Sequence, residues 1–237
     1  TRKDTLSLHD ALPIYVLVDC DTGFGRTGVQ SPDDAAALAR MVAELPGLRF
    51  VGLMTYPTLP ESAAWLRAAR EAIEAAGLRV ERVSGGGTPA ARFTHDRGEV
   101  NELRVGTYVF GDRACMASGS ASLDDCALRV VATVVSRPTA TRAIVDAGTK
   151  TLTSDPARGE TGFGLIVEHP EAVIYELNEE HGLVDLSACP SKPAIGDVVT
   201  IVPNHACGTT NLHDELVVHR GGAVEGRLRV AARGLVR

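Results

Sequence analysis

Tyr15-Val16-Leu17-Val18-Asp19-Cys20-Asp21-Thr22-Gly23-Phe24-Gly25-Arg26-Thr27-Gly28 passes from an apolar run into a polar, glycine-rich turn. The apolar run predicts a buried strand. A strand ending in such a turn puts polar side chains at its carboxyl end, where α/β barrels keep their ligand-binding groups. Working outward, PDDAAALARMVAEL from Pro32 predicts a helix, LRFVGLMTY from Leu48 a strand and PESAAWLRAAREAIEAAG from Pro60 a helix. LRVERVSGG from Leu78 and ELRVGTYVFGD from Glu102 read as two more strands. Val- and Leu-rich strands alternating with amphipathic helices imply βαβ units and a parallel sheet. Pro32 at a helix start and Gly77 past a helix end are the expected punctuation.

After about Arg113 the texture changes. ALRVVATVVSRP, TRAIVDAG, GFGLIVEH, AVIYELNEEHG, DVVTIVPN, DELVVHRGG and AVEGRLRVAARG are short, alternating and divided by Gly, Pro and Asp. They predict an antiparallel β-domain.

The 237 residues are 44% hydrophobic and 23% charged, as in ordinary globular proteins. No apolar run approaches the roughly 20 residues of a membrane span, so no membrane partner and a cytoplasmic location are expected. A net charge of −6 with no Lys/Arg cluster argues against nucleic acid, whose phosphates need concentrated positive charge. Cys20, Cys115, Cys126, Cys189 and Cys207 form no CxxC pair, which argues against a disulfide framework or a zinc ribbon.

Several motifs could carry chemistry. Tyr56, in Gly52-Leu53-Met54-Thr55-Tyr56-Pro57, stands at a predicted strand end, as a core aromatic or as a ring that stacks on a ligand. Val83-Ser84-Gly85-Gly86-Gly87-Thr88-Pro89 offers backbone N–H groups and a hydroxyl to an anion, or is merely a flexible turn. Glu102-Leu103-Arg104-Val105-Gly106-Thr107-Tyr108 repeats the glycine-plus-hydroxyl arrangement on the next strand, and paired loops of this kind build the phosphate site of many barrels. In Pro203-Asn204-His205-Ala206-Cys207-Gly208, an extended backbone would put His205 and Cys207 on one side, able to ligate one ion. A buried cysteine beside a surface histidine is the competing reading.

In their order, these motifs resemble those of the fold-type III pyridoxal-phosphate (PLP) enzymes of the D-threonine aldolase and D-serine dehydratase family. The resemblance implies an α/β fold, with 16–112 as the C-terminal part of an alanine racemase-like (β/α)8 barrel of TIM type and 113–237 as a mainly antiparallel D-serine dehydratase-like β-domain. By the same likeness Arg26 reaches the phenolic oxygen of PLP, Tyr56 flanks its ring, and Ser84, Gly86, Gly87, Gly106 and Thr107 bind its phosphate. Arg104 partners the pyridine nitrogen. His205 and Cys207 hold a divalent metal, zinc by thiolate preference, with manganese or magnesium as alternatives. His181, in Glu179-Glu180-His181-Gly182, matches a recurrent stretch of the β-domain and is a further catalytic candidate.

The implied function is a PLP- and metal-dependent lyase acting on a D-3-hydroxy amino acid, a homodimer when intact. D-Serine dehydration to pyruvate and ammonia is favoured by the His-x-Cys pair. D-Threonine cleavage to glycine and acetaldehyde is the alternative, and a PLP-dependent racemase a second. A non-catalytic PLP-binding protein would leave the β-domain without a role, and a zinc hydrolase would leave the glycine loops unexplained. The family's Schiff-base lysine lies upstream of the Asp-Thr-Gly turn, and Lys3, Lys150 and Lys192 do not fit that place. Thr5 to Ile14 reads TLSLHDALPI and resembles a translated sequencing-library adapter. Residues 1–15 are therefore expected to be artefact, the chain truncated and inactive alone, and its open sheet edge an aggregation hazard.

Overall fold

The computed structural model describes residues 13–94 and 98–235. Lys3, and all of the adapter-like string except Pro13 and Ile14, lie outside them. The chain divides into two units, Thr1–Gly106 and Thr107–Arg237.

The first unit contains β1 (Ile14–Asp19), α1 (Pro32–Glu44), β2 (Leu48–Met54), α2 (Ser62–Ala75) and β3 (Arg82–Gly86). A 3-10 turn at Thr88–Ala90 leads into α3 (Ala91–Thr94), and β4 (Glu102–Arg104) completes a sheet of order β1-β2-β3-β4, parallel throughout. Ser31 caps α1 by accepting from the Asp34 N–H at 3.1 Å, Pro32 opens the helix, and Asp33 and Asp34 oppose its positive end. Ala35, Ala39 and Val42 on α1, and Leu66, Ala69 and Ile73 on α2, recur at helical spacing. They cover Val18, Leu53 and Val83 of the sheet. Each of the larger side chains contributes about 1.5–3 kcal/mol when fully buried.

β2 carries a bulge. Val16 faces Phe50 but Leu17 faces Gly52, which leaves Val51 over. Gly52 takes φ +155°, and a Cβ there would stand 1.8 Å from the Arg82 carbonyl oxygen. No side chain fits between these strands.

The second unit contains α4 (Arg113–Ala117), β5 (Val130–Thr139), β6 (Arg142–Val145), α5 (Thr149–Leu152), β7 (Leu165–Ile166) and β8 (Val173–Leu177). It continues through β9 (Gly182–Asp185), β10 (Val198–Val202), α6 (Ala206–Leu212), β11 (Glu215–Arg220) and β12 (Ala223–Arg229). Antiparallel pairing gives the order β7-β10-β5-β6-β9-β8. The Phe163 N–H donates to the Ile174 carbonyl at 2.9 Å, drawing the segment before β7 onto β8 and nearly closing the sheet. Alternation along β5 buries Val130, Ala132 and Val134 and exposes Val131 and Val135. The inward set packs with Val145, Leu152, Ile174, Val184, Leu186 and Ile201.

The fold class is that expected: a parallel α/β sheet followed by an antiparallel, nearly closed β-sheet. Three local features add to that reading or correct it. Gly182–Asp185, assigned to no element from the sequence, is β9 between β6 and β8. DELVVHRGG and AVEGRLRVAARG form a separate β11–β12 hairpin, which leaves Val217, Val224 and Leu228 exposed. The backbone after His205 is not extended, because Ala206 begins α6 and Cys207 is its second residue. The helix starts there because the Asp112 carboxylate takes the Ala206 N–H at 2.9 Å, a partner remote in sequence. Among the described residues no helix is long and apolar enough to cross a membrane.

Gly52→Ala is expected to destabilise the chain by about 3 kcal/mol or more, since it combines a backbone clash with an unfavourable φ. A urea denaturation midpoint equal to that of the parent would refute this account of the bulge.

Candidate functional site

Parallel pairing brings the carboxyl ends of β1 to β4 to one edge, and the first unit's candidates stand along it. Asp21 shapes the turn after β1: its Oδ1 accepts from the Gly25 and Gly23 N–H groups, each at 3.0 Å. These two bonds, Gly25 first, hold its carboxyl below the usual aspartate range. Thr27 donates to Asp19 Oδ2 at 2.8 Å. Buried hydroxyls hold the neighbouring ends together, with Thr22 Oγ1 lying 3.0 Å from Thr55 Oγ1 and 2.7 Å from Ser62 Oγ. The turn carries Arg26 to a guanidinium carbon 4.5 Å from the centroid of the Tyr56 ring, a cation–π contact.

Tyr56 is 41% exposed. Its ring lies against the β3 turn: a Cβ on Gly86 would meet Tyr56 Cδ2 at 2.5 Å and Arg104 Nη2 at 2.8 Å, and one on Gly87 would meet Tyr56 Cε2 at 3.4 Å. Arg104 spans three strand ends. Its Nη1 donates to the Ser84 carbonyl at 2.8 Å and to Ser84 Oγ at 2.6 Å, and its Nη2 donates to the Thr55 carbonyl at 2.9 Å. Ser84 in turn donates to Glu102 Oε1 at 2.6 Å.

The sequence pattern did not reveal how fully these groups are engaged. The Gly86 N–H donates to Thr58 Oγ1 and the Gly87 N–H to the Arg104 carbonyl, each at 3.0 Å. In this structure the β3 glycines therefore aim their N–H groups into the protein. Gly106 is different: nothing lies within 4 Å of where a Cβ on it would stand.

In the second unit the candidates gather at the start of α6. His205 Nδ1 lies 2.6 Å from Asp155 Oδ2, both side chains being about half exposed. Buried Asn204 donates to the Asp155 carbonyl at 3.1 Å and to the Gly162 carbonyl at 2.8 Å. Asp112, 1% exposed, accepts the Cys115 N–H at 2.8 Å and the Ala206 N–H at 2.9 Å, so one carboxylate caps α4 and seats the first turn of α6. Thr107, expected at a phosphate, has its hydroxyl 3.7 Å from Cys207 Sγ. Among the described cysteines Cys207 alone is exposed. Burial pushes the Cys20 and Cys115 thiols up to about 12, and those of Cys126 and Cys189 also rise.

Sequence reading missed Asp155 and Asp112. Each lies far along the chain from His205, and nothing in its own segment points to that partner. Among the described residues no group of three His, Cys, Asp or Glu is placed to hold a metal by itself. The donor set still fits an ion with open positions: a histidine with a carboxylate on its second nitrogen, and an exposed thiol two residues on.

His181 occupies the exposed turn between β8 and β9, its carbonyl accepting from the Asn178 N–H at 2.8 Å. Lys150 Nζ lies 2.8 Å from Glu179 and 2.8 Å from Glu180. Hydrogen bonds to Glu179 and then Glu180 raise its pKa well above the usual lysine value, so it stays cationic and non-nucleophilic. Lys192 is exposed in the β9–β10 loop.

A model of the alanine racemase N-terminal domain matches residues 4–114, and one of the putative serine dehydratase domain matches residues 127–219. Over 240 residues the chain is 37% identical to a D-threonine aldolase of Arthrobacter sp., covering 94% of this chain and 62% of that protein. The chain thus spans about three fifths of the length of the curated relatives it matches. The crystal structure of D-threonine aldolase from Filomicrobium marinum matches with a TM-score of 0.76 at 32% identity, over 94% of this chain and 64% of that one. D-threo-3-hydroxyaspartate dehydratase from Delftia sp. HT23 matches with a TM-score of 0.75 at 29% identity, over 92% of this chain and 66% of that one. Structures of that dehydratase also include His→Ala and Cys→Ala variants at sites two positions apart, the latter in metal-free form. With an alanine racemase-like parallel sheet leading into a serine dehydratase-type β-domain, the chain belongs to the fold-type III PLP family that includes the D-threonine aldolases and 3-hydroxyaspartate dehydratases.

Proposed function

We propose that the protein bearing this chain is a PLP- and divalent-metal-dependent lyase acting on D-3-hydroxy amino acids, of the D-serine dehydratase type. The observation that carries this reading is the His205–Asp155 pair beside the exposed Cys207. Its His-x-Cys spacing equals that between the two residues varied in the solved dehydratase. A second reading, aldol cleavage of D-threonine, has in its favour the 37% identity to the Arthrobacter aldolase. A racemase of the same fold would have no use for two metal ligands at the start of α6.

When bound, PLP supplies an electron sink for the carbanion at Cα and the metal a Lewis acid for the β-oxygen. The residues of the chain bind and orient. Arg26, steadied over the Tyr56 face, brings a positive charge to the edge where a phenolic oxygen would be neutralised. Arg104 is held by three acceptors on neighbouring strand ends, so its remaining N–H groups point in a fixed direction, suited to a pyridine nitrogen. Gly106 leaves open space that would take a phosphate, and Gly86 and Gly87, on which the Tyr56 ring lies, would border it. Ser84 and Thr107 would exchange present hydrogen bonds for phosphate contacts. His205 and Cys207 would ligate zinc, with manganese or magnesium as hard alternatives, and His181 remains a candidate proton carrier. The same reading carries a cytoplasmic homodimer lacking nucleic-acid and membrane partners, with the Schiff-base lysine outside this sequence and the chain inactive alone.

In the full-length protein, His205→Ala and Cys207→Ala should each abolish metal-dependent turnover of D-serine and D-threonine while leaving PLP absorbance nearly intact. Cys207→Asp should shift preference from zinc towards manganese, because carboxylate oxygen is a harder donor than thiolate. Full activity in both alanine variants and after chelation would exclude a catalytic ion at this pair.

Two chemical probes test the chain itself. Under native conditions a maleimide should label Cys207 and spare the four buried cysteines, and zinc should slow the labelling; several sites reacting at equal rates would contradict the burial pattern. PLP followed by borohydride should leave Lys150 unmodified. The Glu179 and Glu180 contacts favour its protonated form fully below the ordinary lysine pKa and lose effect only as pH rises past the raised value. Reactivity should therefore rise when both glutamates become Gln, and a stoichiometric adduct on unmodified Lys150 would overturn the assignment.

A further inference from the structure

We propose that Asp155 is a positioning residue for His205: it fixes which imidazole nitrogen carries the proton, and so presents the other as a lone-pair donor to a divalent ion. This deepens the reading of His205 and Cys207 as metal ligands and rests on it. His205 Nδ1 lies 2.6 Å from Asp155 Oδ2. An ionised carboxylate can only accept, so Nδ1 must bear the hydrogen, and a neutral ring then keeps its lone pair on Nε2. Carboxylates on the second nitrogen of a ligating histidine set its tautomer and ring angle in this way.

The surroundings hold the carboxylate in place. The Asp155 carbonyl accepts from Asn204 Nδ2 at 3.1 Å, and its N–H donates to Thr153 Oγ1 at 3.3 Å. Asn204 is 1% exposed and directly precedes His205, so a single buried amide joins the two segments. Thr153 takes φ +71°, a left-handed conformation that a β-branched residue adopts only where its surroundings impose it. A Cβ on Gly208 would stand 2.8 Å from Thr153 Oγ1 and 3.2 Å from Asp155 Oδ2, so the carboxylate lies against the first turn of α6. Both partners are about half exposed, and a hydrogen bond so open to solvent adds little to folding stability. Orientation of the ring is the role that remains.

The test compares the unmodified chain, Asp155→Ala, Asp155→Asn and His205→Ala in two measurements. Cobalt titration, read by the sulfur-to-cobalt charge-transfer band and followed by zinc competition, reports affinity at a site that includes Cys207. Nitrogen-15 NMR of the metal-free proteins reports the histidine tautomer. Asp155→Ala should weaken cobalt and zinc at least ~10-fold, still giving the band at saturation, and should convert His205 from one tautomer to a mixture. Asp155→Asn, which retains an acceptor oxygen, should recover part of both effects. Unchanged affinity in Asp155→Ala, with the unmodified chain binding normally, overturns this inference alone. An unmodified chain that takes up no cobalt overturns the metal reading and this inference with it.

Discussion

A parallel sheet allows no choice about where its loops go. Every strand runs the same way, so β1 to β4 all release their chains at one edge, and groups far apart in sequence become neighbours there. Arg104 shows the consequence most directly. It leaves the last residue of β4 and is tied to Ser84 on β3 and to Thr55 just past β2. The Tyr56 ring lies on the backbone of Gly86, and Arg26 lies over that ring. If the register of any of these strands slipped by one residue, side chains would change faces and the arrangement would be lost.

Much of this was legible in the sequence because it is local. Ser31 followed by Pro32 and two aspartates announces α1, and the spacing of Leu66, Ala69 and Ile73 announces the buried face of α2. Strand ends were readable as well, since Asp21-Thr22-Gly23 follows β1 closely and the run of glycines from Gly85 closes β3. Even so, the pattern did not reveal that the Gly86 and Gly87 N–H groups already have acceptors, because Thr58 reaches the first from the loop after β2 and Arg104 the second from β4.

The β-domain was harder to read in proportion to its long-range pairing. Alternation located β5 and β10, but the short β9 hid behind the Glu-Glu-His-Gly turn. The start of α6 misled for a physical reason. Around its start only Ala206 is a strong helix former; His205 at the cap and Cys207 and Gly208 just inside are weak ones. What starts the helix there is Asp112, buried and remote in sequence, whose carboxylate accepts the Ala206 N–H. Asp155 escaped notice in the same way. A hydrogen bond between residues fifty apart has no signature in either segment.

The β11–β12 hairpin sets the order in which the second unit loosens. Most of its residues are exposed, and β11 and β12 pair only with each other. A two-stranded ribbon of this kind is marginal without further support. Local opening is cheapest where few apolar groups are covered, so amide hydrogens on the hairpin should exchange with solvent well before those of β5 and β10. The backbone around α6, anchored by Asp112 and Asn204, should exchange with the slow body rather than with the fraying end, although only His213 and Asp214 separate the two in the chain.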